Sequence, residues 1–155
     1  MPPPPAVLFV CLGNICRSPL AEAAFRARAE AAGLKATADS AGTGGWHAGE
    51  PPDRRAQATA RRHGVDIAGY RARQVESDDF ARYSHIFALD QDNLASLRRI
   101  APPAASAQLG LLLDVVDGLQ GQSVADPYYG GADGFERTWT QVDAAAAALV
   151  KRLQG

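Results

Sequence analysis

Two patterns of apolar residues alternate along this 155-residue chain: short unbroken runs, and longer stretches in which apolar residues recur every three or four positions. Ala6-Val7-Leu8-Phe9-Val10 is the first run, rich in strand formers and without a polar face, which predicts a strand buried on both sides. Ile86-Phe87-Ala88-Leu89 predicts a second of this kind, residues 111–116, apolar but for Asp114, a third strand, and residues 35–40 a weaker one. Residues 20–32 read as an Ala-rich helix, with Ser18 as N-cap, Pro19 at the first helical position and Gly33 as left-handed stop. Residues 53–63 predict a helix closed by Gly64, and residues 90–100 another, stopped by Pro102-Pro103. The last helix is the clearest: Phe135, Trp139, Val142, Ala146, Leu149 and Leu153 lie on one face. Strand and helix alternate about four times, which predicts an α/β fold with a parallel sheet flanked by helices. Ligands of such sheets sit at the carboxyl ends of the strands. Cys11, Ser40, Asp90 and the loop after Val116 are expected to meet there.

Composition adds limits. Apolar residues make up 46% and charged residues 21%, which fits one globular domain over residues 6–155 after a disordered Pro-rich tail, residues 1–5. Sixteen basic against seventeen acidic residues give a net charge of −1, so the basic footprint of a nucleic-acid binder is missing. No apolar run approaches the ~18 residues of a membrane span, and the start lacks the basic and apolar segments of a secretory signal. A cytoplasmic protein that binds neither nucleic acid nor membrane is expected. Two cysteines and three scattered histidines offer no metal-ligand spacing, so neither metal nor other cofactor is expected.

The chemistry concentrates in Cys11-Leu12-Gly13-Asn14-Ile15-Cys16-Arg17-Ser18, between the first strand and the first helix. Backbone N–H groups of such a loop can form an anion-binding nest, to which the helix adds its positive end. Gly13 and Asn14 are residue types that tolerate the positive φ a curled loop demands. Arg17 supplies a planar two-pronged donor for phosphate oxygens. A thiol in the floor of this cradle is expected to react as a thiolate nucleophile toward phosphorus. The plain alternative is that Cys11 is a small core residue at a strand end. Asp90 and Asp126 both stand in loops where a general acid belongs, although Asp90 also occupies a helix N-cap position.

Val10-Cys11-Leu12-Gly13-Asn14-Ile15-Cys16-Arg17-Ser18-Pro19 closely resembles the signature of the low-molecular-weight protein tyrosine phosphatases. The resemblance continues, in order, through Asp39-Ser40-Ala41-Gly42-Thr43, Pro51-Pro52-Asp53, Ala72-Arg73-Gln74, Leu89-Asp90-Gln91-Asp92-Asn93-Leu94 and Asp126-Pro127-Tyr128-Tyr129-Gly130. It implies a three-layer fold around a four-stranded parallel sheet, and hydrolysis of phosphotyrosine through a phosphocysteine. By this resemblance Cys11 is the nucleophile, Arg17 clamps the equatorial oxygens, and Asp126 protonates the leaving phenolate before activating water. Leu12, Gly13, Asn14, Ile15, Cys16 and Ser18 complete the phosphate-binding loop, Ser18 bonding the thiolate and Ser40 holding Asn14. Trp46, Tyr128 and Tyr129 are expected as walls of the cleft, the alternative for Trp46 being packing over the sheet edge. The family's match for Cys16 can pair with the nucleophile in a reversible disulfide. One departure stands out: many relatives carry His, supporting the loop, where this chain has Tyr70. The implied partner is a phosphotyrosine protein, a bacterial tyrosine kinase among the candidates.

Three rivals differ in residues. Thioredoxin-coupled arsenate reductases need further redox cysteines, which two cysteines cannot supply. Protein arginine phosphatases carry Thr where this chain has Ile15, and a branched apolar group favours an aryl ring over a guanidinium. Phosphocysteine phosphocarriers lack the Arg and the Asp-Pro-Tyr.

Overall fold

The computed structural model describes residues 3–155, with Ala132 described in its backbone only. Four parallel strands, β1 (Ala6–Cys11), β2 (Thr37–Gly42), β3 (His85–Ala88) and β4 (Gln108–Leu111), lie in the order β2-β1-β3-β4. The central place of β1 explains its uninterrupted apolar run. Val7, Phe9 and Phe87 face the layer built by α1 (Arg17–Ala31), α2 (Arg54–Arg62) and α5 (Ala132–Gln154). Leu8, Val10, Ile86 and Ala88 face the opposite layer, with α3 (Asp79–Arg82) and α4 (Gln91–Ile100). This is the expected three-layer α/β fold. Phe9 anchors the first layer, its ring 5.7 Å from Phe25 and 6.4 Å from Phe87. A fully buried aromatic of this kind contributes about 1.5–3 kcal/mol. The predicted face of α5 is the buried one, from Phe135 through Leu149.

Helix ends follow local chemistry. Asp53 caps α2 by accepting from the Arg55 N–H at 2.8 Å. Asp90 caps α4 by accepting from the Asn93 N–H at 2.7 Å. Gly33, at φ +70°, closes α1: Leu34 N–H reaches the Ala29 carbonyl at 2.9 Å and Gly33 N–H that of Glu30 at 3.1 Å.

Three expectations are corrected, and one short helix, α3, stands where none was expected. The apolar run 111–116 is a strand only at Leu111; Leu112–Val115 turn as a 3-10 helix, and Leu112, Leu113 and Val115 are all buried. A mostly apolar run, here broken by Asp114, fits a buried turn as well as a buried strand, and pairing with β3 places β4 earlier, over weakly apolar residues. β2 runs two residues later than expected because Cys11 pairs with Gly42, drawing the glycine into the sheet. The short helix α3 has no periodicity long enough to announce it. Ser18 is not the N-cap of α1: the helix begins at Arg17, Cys16 precedes it, and the Ser18 hydroxyl is engaged elsewhere. Pro19 fits as the third helical residue because first-turn N–H groups have no helical partner to lose.

Of the Pro-rich tail, Met1 and Pro2 lie outside the described residues. Pro3 and Pro4 are exposed without regular structure, and the Pro5 carbonyl accepts from the Thr37 N–H at 3.0 Å. No described helix is long and apolar enough to cross a membrane.

Candidate active site

Cys11 ends β1, and the chain curls through residues 12–16 before α1 begins. The loop turns its carbonyls away from its centre onto neighbouring backbone. Cys11 O accepts from Thr43 N–H at 2.9 Å, Leu12 O from Gly44 N–H at 3.0 Å and Ile15 O from Asp53 N–H at 2.9 Å. Among the described residues, the N–H groups of residues 12–16 have no protein acceptor, so they remain available to an anion. The close backbone approach needs a glycine: a Cβ on Gly42 would stand 2.8 Å from the Leu12 carbonyl oxygen. Positive φ falls on Asn14, at 59°, but not on Gly13, which corrects the expectation for that residue. Gly13 instead makes room for a side chain, since a Cβ there would meet the His47 ring at 3.1 Å.

Asn14 tolerates its conformation because its amide is fully used. Its Nδ2 donates to Ser18 Oγ at 2.8 Å and to Ser40 Oγ at 3.0 Å, while Oδ1 accepts from the Arg73 N–H at 3.0 Å. Ser18 Oγ lies 3.0 Å from Cys11 Sγ. Ser40 Oγ donates to Glu22 Oε1 at 2.8 Å, and Arg26 Nε donates to Glu22 Oε2 at 2.8 Å. Burial pushes the Glu22 carboxyl above its ordinary pKa, with Ser40 and Arg26 working the other way. Tyr70 packs half-buried beside this chain, its hydroxyl pushed up to about 12 by burial and then by Glu22. At this position Tyr brings no cation to Glu22; Arg26 does.

Arg17 is 3% exposed and enters the floor from the first turn of α1. Its Nη1 donates to Asp90 Oδ2 at 2.7 Å and to the Val124 carbonyl at 2.9 Å. Burial opposes its charge, but Cys11, Asp90 and Asp126 outweigh that and raise its pKa. Asp90 thus spends one oxygen on Arg17 and the other on its helix cap. Asp126 is freer: Oδ1 accepts from the Tyr128 N–H at 3.1 Å, and Oδ2 lies 3.7 Å from Arg17 Nη2.

These groups open on a cleft of about 200 Å³ lined by Cys11, Leu12, Ile15, Arg17, Trp46 and Asp126, with Gly13, Cys16, His47, Tyr128 and Tyr129 completing it. Tyr128 and Tyr129 meet edge to face at 5.0 Å. Arg55 braces their loop: it donates to the Tyr128 carbonyl at 3.0 Å and lies 5.5 Å over the Tyr128 ring and 4.7 Å over that of Phe135. Cys16 is a free buried thiol whose pKa is driven up by burial, then by Asp53, Cys11 and Asp126. Glu22, His47, Arg55 and the Val124 carbonyl were not legible as site residues. Their signals are contacts between elements, except Glu22, whose i, i+4 spacing to Arg26 suggests only a surface pair.

The model of the low molecular weight phosphotyrosine protein phosphatase family matches residues 6–155. A low molecular weight protein-tyrosine-phosphatase of Streptomyces coelicolor is 48% identical over 93% of this chain and 90% of its own length. The crystal structure of YfkJ from Bacillus subtilis superposes with a TM-score of 0.91 at 42% identity, covering 99% of this chain and 96% of that one. The crystal structure of a Drosophila arginine phosphatase also superposes with a TM-score of 0.91, at 30% identity, over 96% and 98% of the two chains. Matched over this extent in sequence and in fold, the chain belongs to the low molecular weight phosphotyrosine protein phosphatase family, whose hydrolysis of phosphotyrosine it shares.

Proposed function

We propose that Cys11 attacks the phosphorus of a phosphotyrosine side chain, with Arg17 and the loop N–H groups holding the phosphoryl oxygens and Asp126 moving the protons. In the first step the Cys11 sulfur–phosphorus bond forms as the bond from phosphorus to the phenolic oxygen breaks. Asp126 gives its proton to that oxygen, because a tyrosyl phenolate is a poor leaving group. In the second step Asp126 takes a proton from water, the water oxygen bonds phosphorus, and the sulfur leaves as thiolate with inorganic phosphate as product. Charge spread over the equatorial oxygens meets Arg17 and the free N–H groups, already in place before reaction. Ser18, its Oγ 3.0 Å from Cys11 Sγ, stabilises the thiolate as attacker and as leaving group. The observation that carries this reading is that Asp126, more than a hundred residues away in sequence, lines one cleft with Cys11 and Arg17.

Asp126 is preferred to Asp90 as the acid because Asp90 has both oxygens committed, whereas Asp126 keeps 41% of its side chain exposed on the cleft. A second reading, phosphoarginine hydrolysis, is raised by the likeness to the Drosophila enzyme. Ile15 argues against it: with Leu12, Trp46 and Tyr128 it gives the cleft apolar and aromatic sides suited to an aryl ring. We assign residues 6–155 to one phosphatase domain, and place the protein in the cytoplasm, where its two free cysteines stay reduced. Its partner is then a phosphotyrosine protein there, an autophosphorylated kinase in a bacterial host being one such substrate.

The test is hydrolysis of p-nitrophenyl phosphate, phosphotyrosine peptide and phosphoarginine, with chelator present and thioredoxin absent, for wild type and Cys11→Ser. Aryl phosphates are expected to be turned over by wild type, with a loss of about a thousandfold or more in the variant. Retention of activity by Cys11→Ser removes the nucleophile assignment, and a preference for phosphoarginine removes the reading of Ile15.

A further inference from the structure

Outside the cleft, Arg73 sits in an ionic cluster that the chemistry above does not use. Its Nε donates to Asp39 Oδ2 at 3.1 Å, and Nη1 and Nη2 donate to the two oxygens of Asp79 at 2.9 and 3.1 Å. Asp79 is 1% exposed and also accepts from the Glu76 N–H at 2.8 Å. Tyr83 adds its hydroxyl to Asp39 Oδ2 at 3.5 Å. Burial works against the Arg73 charge, but Asp79 and Asp39 outweigh it and raise its pKa. The cluster therefore ties residue 73 to β2 through Asp39 and to α3 through Asp79. The backbone of the same residue reaches the active-site loop through Asn14 Oδ1.

That bond decides the direction of every proton in the loop's support. The Arg73 N–H can only meet an oxygen, so the Asn14 amide must turn Oδ1 toward residue 73 and Nδ2 toward Ser18 and Ser40. Each serine then accepts from Asn14, and each keeps its single hydroxyl proton for another acceptor. Ser40 gives its proton to Glu22, and Ser18 is left with one to give to Cys11 Sγ. With the amide turned over, Ser18 and Ser40 would both have to donate to Oδ1, and the sulfur would lose its donor. We infer that Arg73, held by Asp39 and Asp79, is a positioning residue that sets the orientation of the Asn14 amide and thereby commits the Ser18 proton to Cys11. This rests on the assignment of Cys11 as nucleophile.

The experiment follows Cys11 alkylation by iodoacetamide, read by mass spectrometry of the Cys11 peptide across pH, beside kcat and KM for p-nitrophenyl phosphate. Cys16, buried and held as a thiol, does not compete. Arg73→Met keeps the stem and removes the charge; Arg73→Lys keeps the charge opposite the buried Asp79, so that a folded variant is at hand if the first unfolds. In each folded variant kcat is expected to fall about tenfold at nearly unchanged KM, the scale of one lost hydrogen bond to a charged group, with a smaller fall for Lys. The alkylation profile should move to the alkaline side in step. In an Asn14→Ala background the Arg73 substitutions should add nothing, because the relay is already cut. A folded variant whose alkylation profile overlays that of wild type, or whose effect adds in full to Asn14→Ala, overturns the inference: the backbone bonds alone would then hold residue 73. Failure of the nucleophile reading shows separately, as retained activity in Cys11→Ser.

Discussion

Asp126 and Asp90 carry the same functional group a short distance apart, and their neighbours assign them different work. Asp90 gives one oxygen to Arg17 and the other to the first turn of α4, so a proton on it would break a cap and an ion pair together. Among the described residues Asp126 accepts one hydrogen bond, from the Tyr128 N–H, and its other oxygen faces the cleft 3.7 Å from Arg17. Asp126→Asn is therefore expected to lower kcat for phenyl phosphate by about a hundredfold or more, and by clearly less for p-nitrophenyl phosphate, whose phenolate leaves without help. Equal losses on both substrates would show that Asp126 does not protonate the leaving group. At this scale the sequence pattern was informative about Cys11, Asn14, Arg17 and Ser18, which lie in one continuous stretch. It misled at Ser18, where a residue suited to an N-cap accepts from Asn14 and faces sulfur. Local preference offered that hydroxyl the cap, and the adjoining Asn14 amide and Cys11 sulfur engage it instead.

Between elements, α2 meets α5 through a compact polar contact. Glu136 on α5 accepts from Arg62 Nε and lies in contact with His63 Nε2, both at 2.9 Å, and the His63 ring stacks on Trp139 at 4.8 Å. The hydrogen bond from His63, then that from Arg62, holds the Glu136 carboxyl below its ordinary range. A carboxyl depressed in the folded state adds stability above its unfolded pKa, and that stability is lost as pH falls through the folded value. Glu136 keeps 41% of its side chain exposed, so solvent screening keeps the gain small. Glu136→Gln should lower the melting temperature slightly at neutral pH and leave a shallower acid limb below about pH 4.5, the ordinary value for the group. Parallel wild-type and variant curves would remove the contact as a source of acid sensitivity. The elements themselves were readable where periodicity was long, as in α5, or where caps were explicit, as at Asp53 and Gly33. They were misread at residues 111–116, where apolar content is the same for a strand and for a buried turn.

At the scale of the molecule, core and cleft share residues. Phe135 is fully buried in the layer under β1, and its ring also carries the Arg55 guanidinium that braces the Tyr128 and Gly130 carbonyls. Phe135→Ala should cost about 3–5 kcal/mol of stability, as expected for a buried aromatic, measured by denaturant unfolding. It should also raise KM for aryl phosphates in the fraction that remains folded, whereas Phe9→Ala, in the same core but away from that loop, should cost stability alone. Matching KM values for the two variants would uncouple the core from the cleft wall.

The amino-acid sequence by itself determined the layered α/β architecture, because runs buried on both faces and one-sided helices leave few ways to hide apolar surface. It also determined the loop 11–18, because the proposed nucleophile, the anion cradle and the arginine are contiguous and their spacing is fixed by the chain. Tertiary structure decided what depends on approach between distant segments: that Asp126 rather than Asp90 is left uncommitted beside Arg17, that Arg26 rather than residue 70 balances Glu22, and that Arg73 sets the Asn14 amide. Hydrogen bonds and ion pairs act over a few ångströms, and no periodicity in one dimension records which residues the fold brings within that range.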